Sequence, residues 1–448
     1  MDGRTRERLR RGGIGAATSL ALAVGFAWMA WDEARIAQEP ILGEMAWLDA
    51  SHFTFAQFRD GKLSREDWQA PGFRQAPFHG MNPNAAKWVA GLALQLGGYE
   101  LERPIYLRSG GKHKHYRMMS HEERAVANRA HMPFVVQLRT LVLWVSAGCA
   151  VLLFWLVRSV AGLGAAILAY AAFLSTALIR DQQLRVLMDF FLMFASLSAL
   201  WVAIVFARQW ERSRPDRTIG PHVARILVLG ALLGIAASTK PNGAAVAIVC
   251  ALVGLALQGA GTFRVWGSWR PLAVMFATGA TSLVTFVAIN PQYWGNPVQR
   301  AVFYLRLWSQ NTAEQQAYFA KGALLTADDK IGHVLQASVA GAGPLGALWT
   351  WLPPLLAGAG LVIVVLRAVP RSNAPGSNGA DRTGYLFLAV WSVLIAGSTI
   401  AWIPIDWNRY YLPLIPAACA LQAVALAALT APLLRRLPRT RPAGSRVP

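Results

Sequence analysis

Apolar runs that approach or reach membrane-spanning length recur along the whole chain, and no other feature limits its fold so sharply. A helix needs about 20 apolar residues to cross a bilayer. Ten stretches come near or reach that length: Ile14–Trp31, Phe134–Val157, Gly162–Ile179, Val186–Ala207, Ile226–Ala237, Gly243–Leu257, Pro271–Ile289, Leu345–Leu366, Gly384–Ile403 and Tyr410–Leu429. Lipid offers backbone groups no hydrogen-bond partner, so runs of this kind are helices. The expected fold is an all-α polytopic membrane protein of about ten transmembrane helices, with two large extracytoplasmic loops carrying amphipathic surface helices. The fifth and sixth stretches are short, and Ser238-Thr239-Lys240-Pro241-Asn242 separates them; they read either as one broken hairpin or as two tilted spans.

Charge placement orients the bundle. With a cytoplasmic N-terminus, the inside segments hold 21 Lys+Arg against 5 Asp+Glu and the outside segments 22 against 18, so +16 of the formal +20 lies inside. That is the positive-inside pattern. Arg4, Arg6, Arg8, Arg10 and Arg11 precede the first span, Arg208, Arg212, Arg214 and Arg217 fill one inside loop, and Arg435, Arg436, Arg439 and Arg441 follow the last. Topology and anionic headgroups account for the basic excess, so nucleic acid is not the expected partner. The first stretch has a basic flank but no small-x-small site before Asp32, and reads as a retained span instead of a cleaved signal. The Arg- and Ala-rich chain is expected in a bacterial cytoplasmic membrane, multi-pass, with both termini cytoplasmic. Cys149, Cys250 and Cys419 all fall in apolar stretches, so no disulfide framework is expected in the outside loops.

Residues 1–448 read as a single transmembrane domain with extracytoplasmic loops at 32–133 and 290–344. In the first loop, Asn84 to Leu96 has helical periodicity: Trp88, Val89, Leu92 and Leu96 share one face, and Lys87 and Gln95 lie away from it. Thirteen residues cannot span, so a helix lying on the outer surface is expected. The polar stretch from Glu102 to Arg129 is expected to be a mobile part of that loop. In the second loop, Asn290-Pro291-Gln292-Tyr293-Trp294-Gly295 stops a helix, and Arg300 to Phe319 reads as amphipathic. Arg367 to Arg382 is a flexible connector, and the basic, Pro-rich tail, 432–448, is expected to lack order.

Ionisable residues concentrate where these loops meet the spans. Asp32, Glu33 and Arg35 follow Trp28-Met29-Ala30-Trp31 directly. Acids at a helix end entering water are ordinary, yet charges at a membrane boundary are costly unless solvated or used. Asp32 and Arg35 share a face if the helix continues, which gives either a surface ion pair or an anion site beside a carboxylate. Short outside turns carry Arg180, Asp181, Arg185 and Asp189, then Lys240, then Asp406 and Arg409. Each alone reads as a solvated end or a snorkelling side chain. Together the cations run against the positive-inside tendency and suit a lipid phosphate. His113 and His115 form an isolated His-x-His in a basic run, which lacks the further ligands a metal site needs. No Gly-rich phosphate loop and no Gly-x-Ser-x-Gly elbow is present.

The order of these motifs resembles the polytopic glycosyltransferases of the C-type fold (GT-C), and within them the group holding protein O-mannosyltransferases and the aminoarabinose transferases that act on lipid A. Asp32-Glu33-Ala34-Arg35-Ile36-Ala37 is similar to their Asp-Glu-x-Arg/His-Tyr/Phe-Ala motif. Asn82-Pro83-Asn84-Ala85-Ala86-Lys87 is similar to the His/Lys-Pro-Pro-Leu-x-Lys/Tyr segment of a surface helix, with Asn at both the His/Lys and the second Pro positions. Arg185-Val186-Leu187-Met188-Asp189-Phe190-Phe191, Ser238-Thr239-Lys240 and Arg409-Tyr410-Tyr411-Leu412-Pro413-Leu414-Ile415-Pro416 match later motifs in order.

The resemblance implies a sugar donor on a polyprenyl phosphate and inverting transfer outside the membrane to a lipid, glycan or protein acceptor of the envelope. Asp32 would be the general base, and Glu33 would orient the acceptor or a cation. Arg35, Lys87, Arg180, Lys240 and Arg409 would bind the donor phosphate. A divalent cation is admitted by the resemblance, without assigned ligands. Two other readings stay open. One is a noncatalytic envelope-assembly subunit, favoured by Asn82 and Asn84. The other is a transporter or lipid flippase, which calls for midplane charges and repeat symmetry that the chain does not show.

Overall fold

A computed structural model describes residues 3–38, 40, 42–61, 84–100, 119–212, 222–259, 270–336, 351–369 and 379–436. Helices α1 (Gly3–Ala30), α2 (Glu33–Ile36), α3 (Leu42–Arg59), α4 (Ala85–Leu96), α5 (His121–Asn128) and α6 (Met132–Ala161) come first. Then follow α7 (Leu163–Ser175), α8 (Ala177–Gln182), α9 (Asp189–Arg212), α10 (Val223–Ala237), α11 (Ala244–Gly259) and α12 (Arg270–Ile289). The rest are α13 (Pro297–Tyr318), α14 (Ala327–Val334), α15 (Leu352–Ala368), α16 (Gly379–Trp402) and α17 (Ile415–Arg436). Among the described residues there is no strand beyond an isolated bridge, Ala323 to Ile405. The all-α polytopic reading holds. Six stretches of helix are long and apolar enough to span: Gly13–Ala30, Glu122–Ala161, Asp189–Trp210, Arg270–Ile289, Arg382–Trp402 and Arg409–Pro432. Four shorter apolar helices accompany them: Leu163–Ser175, Val223–Ala237, Pro241–Leu257 and Leu352–Ala368.

Local chemistry explains where the helices depart from the apolar runs. The third run breaks at Thr176, which takes an extended backbone and turns its hydroxyl back onto the Ala172 carbonyl at 2.8 Å. The fourth begins its helix only at Asp189, where an acid suits a helix N-terminus. The last helix continues to Arg436, so residues 432–436 of the expected tail are helical; 437–448 lie outside the described residues, as do His113, His115 and Asn82.

Packing follows small residues. On α10, a Cβ added at Gly230 would sit 2.5 Å from Thr281 Cβ, and one at Gly234 would sit 2.5 Å from the Ser282 carbonyl oxygen. This small-xxx-small stripe lets α10 and α12 approach closely. Helix α17 packs against both α7 and α15 at the centre of the bundle, and α6 against α9.

Both loops, the α10–α11 turn and the α16–α17 turn gather at one end, called here the loop end. The first loop has a core of its own: Met45, Leu48, Ala90, Leu94 and Tyr99 pack on Val135 and Leu138 of α6. Tyr99 Oη lies 3.1 Å from His131 Nδ1, and burial, then Asp49, pushes its phenol pKa up.

Candidate active site

Asp32 is the N-cap of α2. Its exposed carboxylate accepts the Arg35 backbone N–H at 3.1 Å. Glu33 follows in the first turn and is exposed. The expected Asp32–Arg35 ion pair does not form, because the Arg35 guanidinium reaches across the chain instead. It donates to the carbonyls of Arg180 and Asp181, both at 2.9 Å, and to the Asp181 carboxylate at 3.3 Å. Arg185 lies 3.6 Å from that same carboxylate, and Gln182 donates to its other oxygen. Arg35, Gln38, Ala177, Arg180, Asp181 and Arg185 line an open pocket of about 550 Å³.

What holds α2 is a pair of residues that the sequence reading passed over. Arg139 on α6 and Glu44 on α3 form a buried two-pronged ion pair at 2.9 and 2.7 Å. Arg139 also donates to the carbonyls of Ile36 and Gln38, both at 2.7 Å, and of Arg35 at 3.3 Å. Glu44 accepts the Val186 backbone N–H at 2.9 Å. One buried ion pair thereby fixes the segment bearing Asp32 against the segment leading into α9.

The remaining predicted cations fall into two further groups. Lys240 donates to Asp189 at 2.7 Å and stands over the Tyr410 ring at 5.2 Å. Arg409 lies over Trp407 at 4.6 Å and over Tyr410 at 5.3 Å, and the two rings are parallel within 4°. Three motifs read separately from the sequence, those of Asp189, Lys240 and Arg409, therefore meet around Tyr410.

Lys87 is placed otherwise. The lipid-soluble face of α4, with Val89, Leu92 and Leu96, is exposed, while Ala86, Lys87, Ala90 and Leu94 turn into the protein. Lys87 is fully buried and donates to Asn84 Oδ1 at 3.1 Å; burial lowers its pKa to about 7. Asn84, in turn, takes its backbone partner from Asn290 Oδ1 at 2.8 Å and donates its side chain to Gln292 at 2.6 Å. Asn290 donates to Ser238 Oγ at 2.8 Å. The departure at Asn84 is thus filled by an amide network joining both loops to the α10–α11 turn.

Below that turn, between α9, α10, α11 and α12, lies an apolar cavity of about 490 Å³. Ala237, Ala244 and Phe286 line its near end, flanking Ser238-Thr239-Lys240 and Asn290; Trp210, Leu257 and Pro271 line its far end. Asn290 also donates to the Phe286 carbonyl at 2.6 Å, so the polar cluster closes directly onto the cavity. Among the described residues, no group of three His, Cys, Asp or Glu is gathered as metal ligands. Asp32 and Glu33 alone do not make a cation site.

The architecture has solved counterparts. The oligosaccharyltransferase AglB from Archaeoglobus fulgidus, in complex with an inhibitory peptide and a dolichol-phosphate, superposes with a TM-score of 0.51 at 12% identity, over 96% of this chain and 52% of that one. The chain has the C-type glycosyltransferase fold. The same archaeal protein tethered to an acceptor peptide gives a TM-score of 0.51 at 12% identity, over 93% and 50% of the two chains. ArnT from Cupriavidus metallidurans, bound to undecaprenyl phosphate, gives 0.49 at 14%, over 91% and 60%. The chain spans about half to three-fifths of the length of these proteins. No protein-family sequence model and no curated protein sequence matches it.

Proposed function

We propose that this chain is a membrane glycosyltransferase that moves a sugar from a polyprenyl-phosphate donor to an envelope lipid, glycan or protein. The observation that carries this reading is the apolar cavity ending beneath Lys240 and Asn290. A prenyl chain suits the cavity and leaves its phosphate beside Lys240 and Arg409. Lys240 pairs with Asp189, and Arg409 lies over the Trp407 and Tyr410 rings, which leaves the Arg409 charge for the phosphate. AglB, which shares the fold and was solved with a dolichol-phosphate, supports the same donor class.

The chemistry then balances with the chain's own groups. An acceptor hydroxyl attacks the anomeric carbon, its proton passes to the Asp32 carboxylate, and the bond from that carbon to the phosphate oxygen breaks. The electron pair stays on the lipid phosphate, where Lys240 and Arg409 stabilise it. The leaving group is acidic already, so no strong general acid is needed. Attack opposite the leaving phosphate inverts the anomeric centre. The reaction is placed on the extracytoplasmic face of a bacterial cytoplasmic membrane, with both termini cytoplasmic, on the strength of the arginine distribution. Asp32 is exposed and accepts a single hydrogen bond among the described residues, which leaves it able to take a proton.

The test is turnover of a panel of polyprenyl-phosphate sugars by purified wild type and Asp32→Asn. Turnover that needs Asp32 is expected; a folded wild type that turns over no donor would overturn the reading in favour of an assembly subunit.

A further inference from the structure

The five cations assigned together from the sequence as donor-phosphate ligands fall among three sets of partners. Lys240 and Arg409 both lie over Tyr410, Lys240 in the turn between the cavity-lining residues Ala237 and Ala244, and Lys87 is buried in the amide network. Arg35 and Arg180 instead share a pocket with Arg185, between α2 and the α7–α9 connection; no residue lining it also lines the apolar cavity. From its composition and position, we infer that this pocket is a second anion site, one that seats a phosphate or carboxylate carried by the acceptor. The inference rests on the glycosyltransferase reading and names a property of its second substrate.

The charge count favours an anion. Three guanidiniums line the pocket against one carboxylate, Asp181. That carboxylate is already engaged by Arg35, Arg185 and Gln182. Arg180 is exposed, and its side chain has no hydrogen-bond partner among the described residues. Guanidiniums stay charged at every accessible pH and present paired donors that match phosphate and carboxylate oxygens. Two of these three have charge to spare once Asp181 is satisfied. At about 550 Å³ the pocket has room for a phosphate group and part of the molecule that bears it.

Position favours the acceptor over the donor. Arg35 touches both places: its backbone N–H holds the Asp32 carboxylate, and its guanidinium forms a pocket wall. An anionic group seated there is one residue, Arg35, away from the proposed base, where an acceptor hydroxyl would be activated. The pocket is also half polar in lining and open, unlike the apolar cavity that suits a prenyl chain. Steering by a cationic cleft would raise the local concentration of an anionic acceptor and fade with salt.

The experiment uses purified full-length protein in phosphatidylcholine nanodiscs with the polyprenyl-phosphate sugar that it turns over. Two acceptors are compared, octyl glucoside and its 6-phosphate, for wild type, Arg180→Ala/Arg185→Ala and Arg180→Lys/Arg185→Lys. Wild type is expected to use the phosphorylated acceptor at least tenfold better in kcat/KM. That ratio should fall toward one in the alanine variant and recover in part in the lysine variant. A ratio near one in wild type would overturn the inference and leave the transferase reading standing. A large ratio untouched by the alanine substitutions would remove the anion from this pocket. If the ratio collapses when phosphatidylglycerol replaces phosphatidylcholine, a lipid headgroup is the occupant and the acceptor assignment is wrong. No turnover of any donor with either acceptor would overturn the transferase reading itself, and this inference with it.

Discussion

The two loops at the loop end are attached in different ways. The first is built into the core: α3 and α4 pack on α6, Lys87 and Asn84 are buried, and the Arg139–Glu44 pair ties the loop to α2 and to the entry of α9. The second lies along the edge. Helix α13 exposes Val298, Val302, Phe303 and Leu305. Beyond the Asn290 network, its contacts with the bundle include the backbone bonds of Leu324 to Pro404 and Asp406 to Gly322, at 3.0 and 2.8 Å, the Phe319 ring against Trp407 at 5.0 Å, and a His333–Asp406 contact at 3.3 Å. The proposed base thus sits on the loop held by the buried ion pair, while the second loop is buried at its start, Asn290 to Tyr293, and exposes the helix that follows. Local stability and catalytic placement are divided between two segments.

Substitutions can break that division, beginning with the largest effect. Arg139→Ala leaves Glu44 as an uncompensated buried charge and frees three carbonyls; a loss of about 3–5 kcal/mol is expected. Thermal unfolding in detergent reads it, and a near-normal midpoint would mean that the first loop is not anchored as described. Asp32→Asn should leave that midpoint unchanged yet lower transfer by about a hundredfold. Equal transfer by this variant would remove Asp32 from the mechanism.

Lys87 gives a pH signature confined to the first loop. The unfolded chain keeps this proton to higher pH than the folded chain, whose Lys87 titrates at about 7. Raising the pH above about 7 therefore stabilises the fold, until the unfolded lysine also titrates near its ordinary value. The midpoint of wild type should climb between pH 7 and the ordinary lysine range, and that of Lys87→Met should climb less. Parallel profiles would contradict the burial of this amine. The smallest effect belongs to the second loop. His333 and Asp406 are 41% and 39% exposed, so Asp406→Asn should cost no more than about 1 kcal/mol. A loss rivalling that of Arg139→Ala would show that the second loop is core after all.

Much of this arrangement was legible in the chain. Helices in water-poor surroundings follow from apolar length alone, and the motifs of Asp32, Asp189, Lys240 and Arg409 were found because each sits in a polar turn between apolar runs. Arg139 was missed although its signal was plain: a lone arginine inside the second apolar stretch is costly unless paired. Its partner Glu44 looked like any loop acid, because a contact between residues 95 positions apart leaves no local trace. Lys87 shows a different limit. Periodicity gave its helical face correctly but could not say whether protein or water lay on that side. Nor could spacing say which cations share partners, since that depends on how α8 and the 3-10 turn Asn408–Leu414 fold back on the bundle.

The shortness of α10 and α11 has a consequence for where a reaction could occur. They hold 15 and 16 residues, about 22 and 24 Å of helix against a hydrocarbon layer of about 30 Å. The pair acts as a ruler. Where the pair crosses a bilayer, the depth of Lys240 is set by residue count. One added turn in each helix would raise that lysine by about 5.4 Å. The plane of the proposed transfer is thereby specified as a length, independently of any contact made to a sugar.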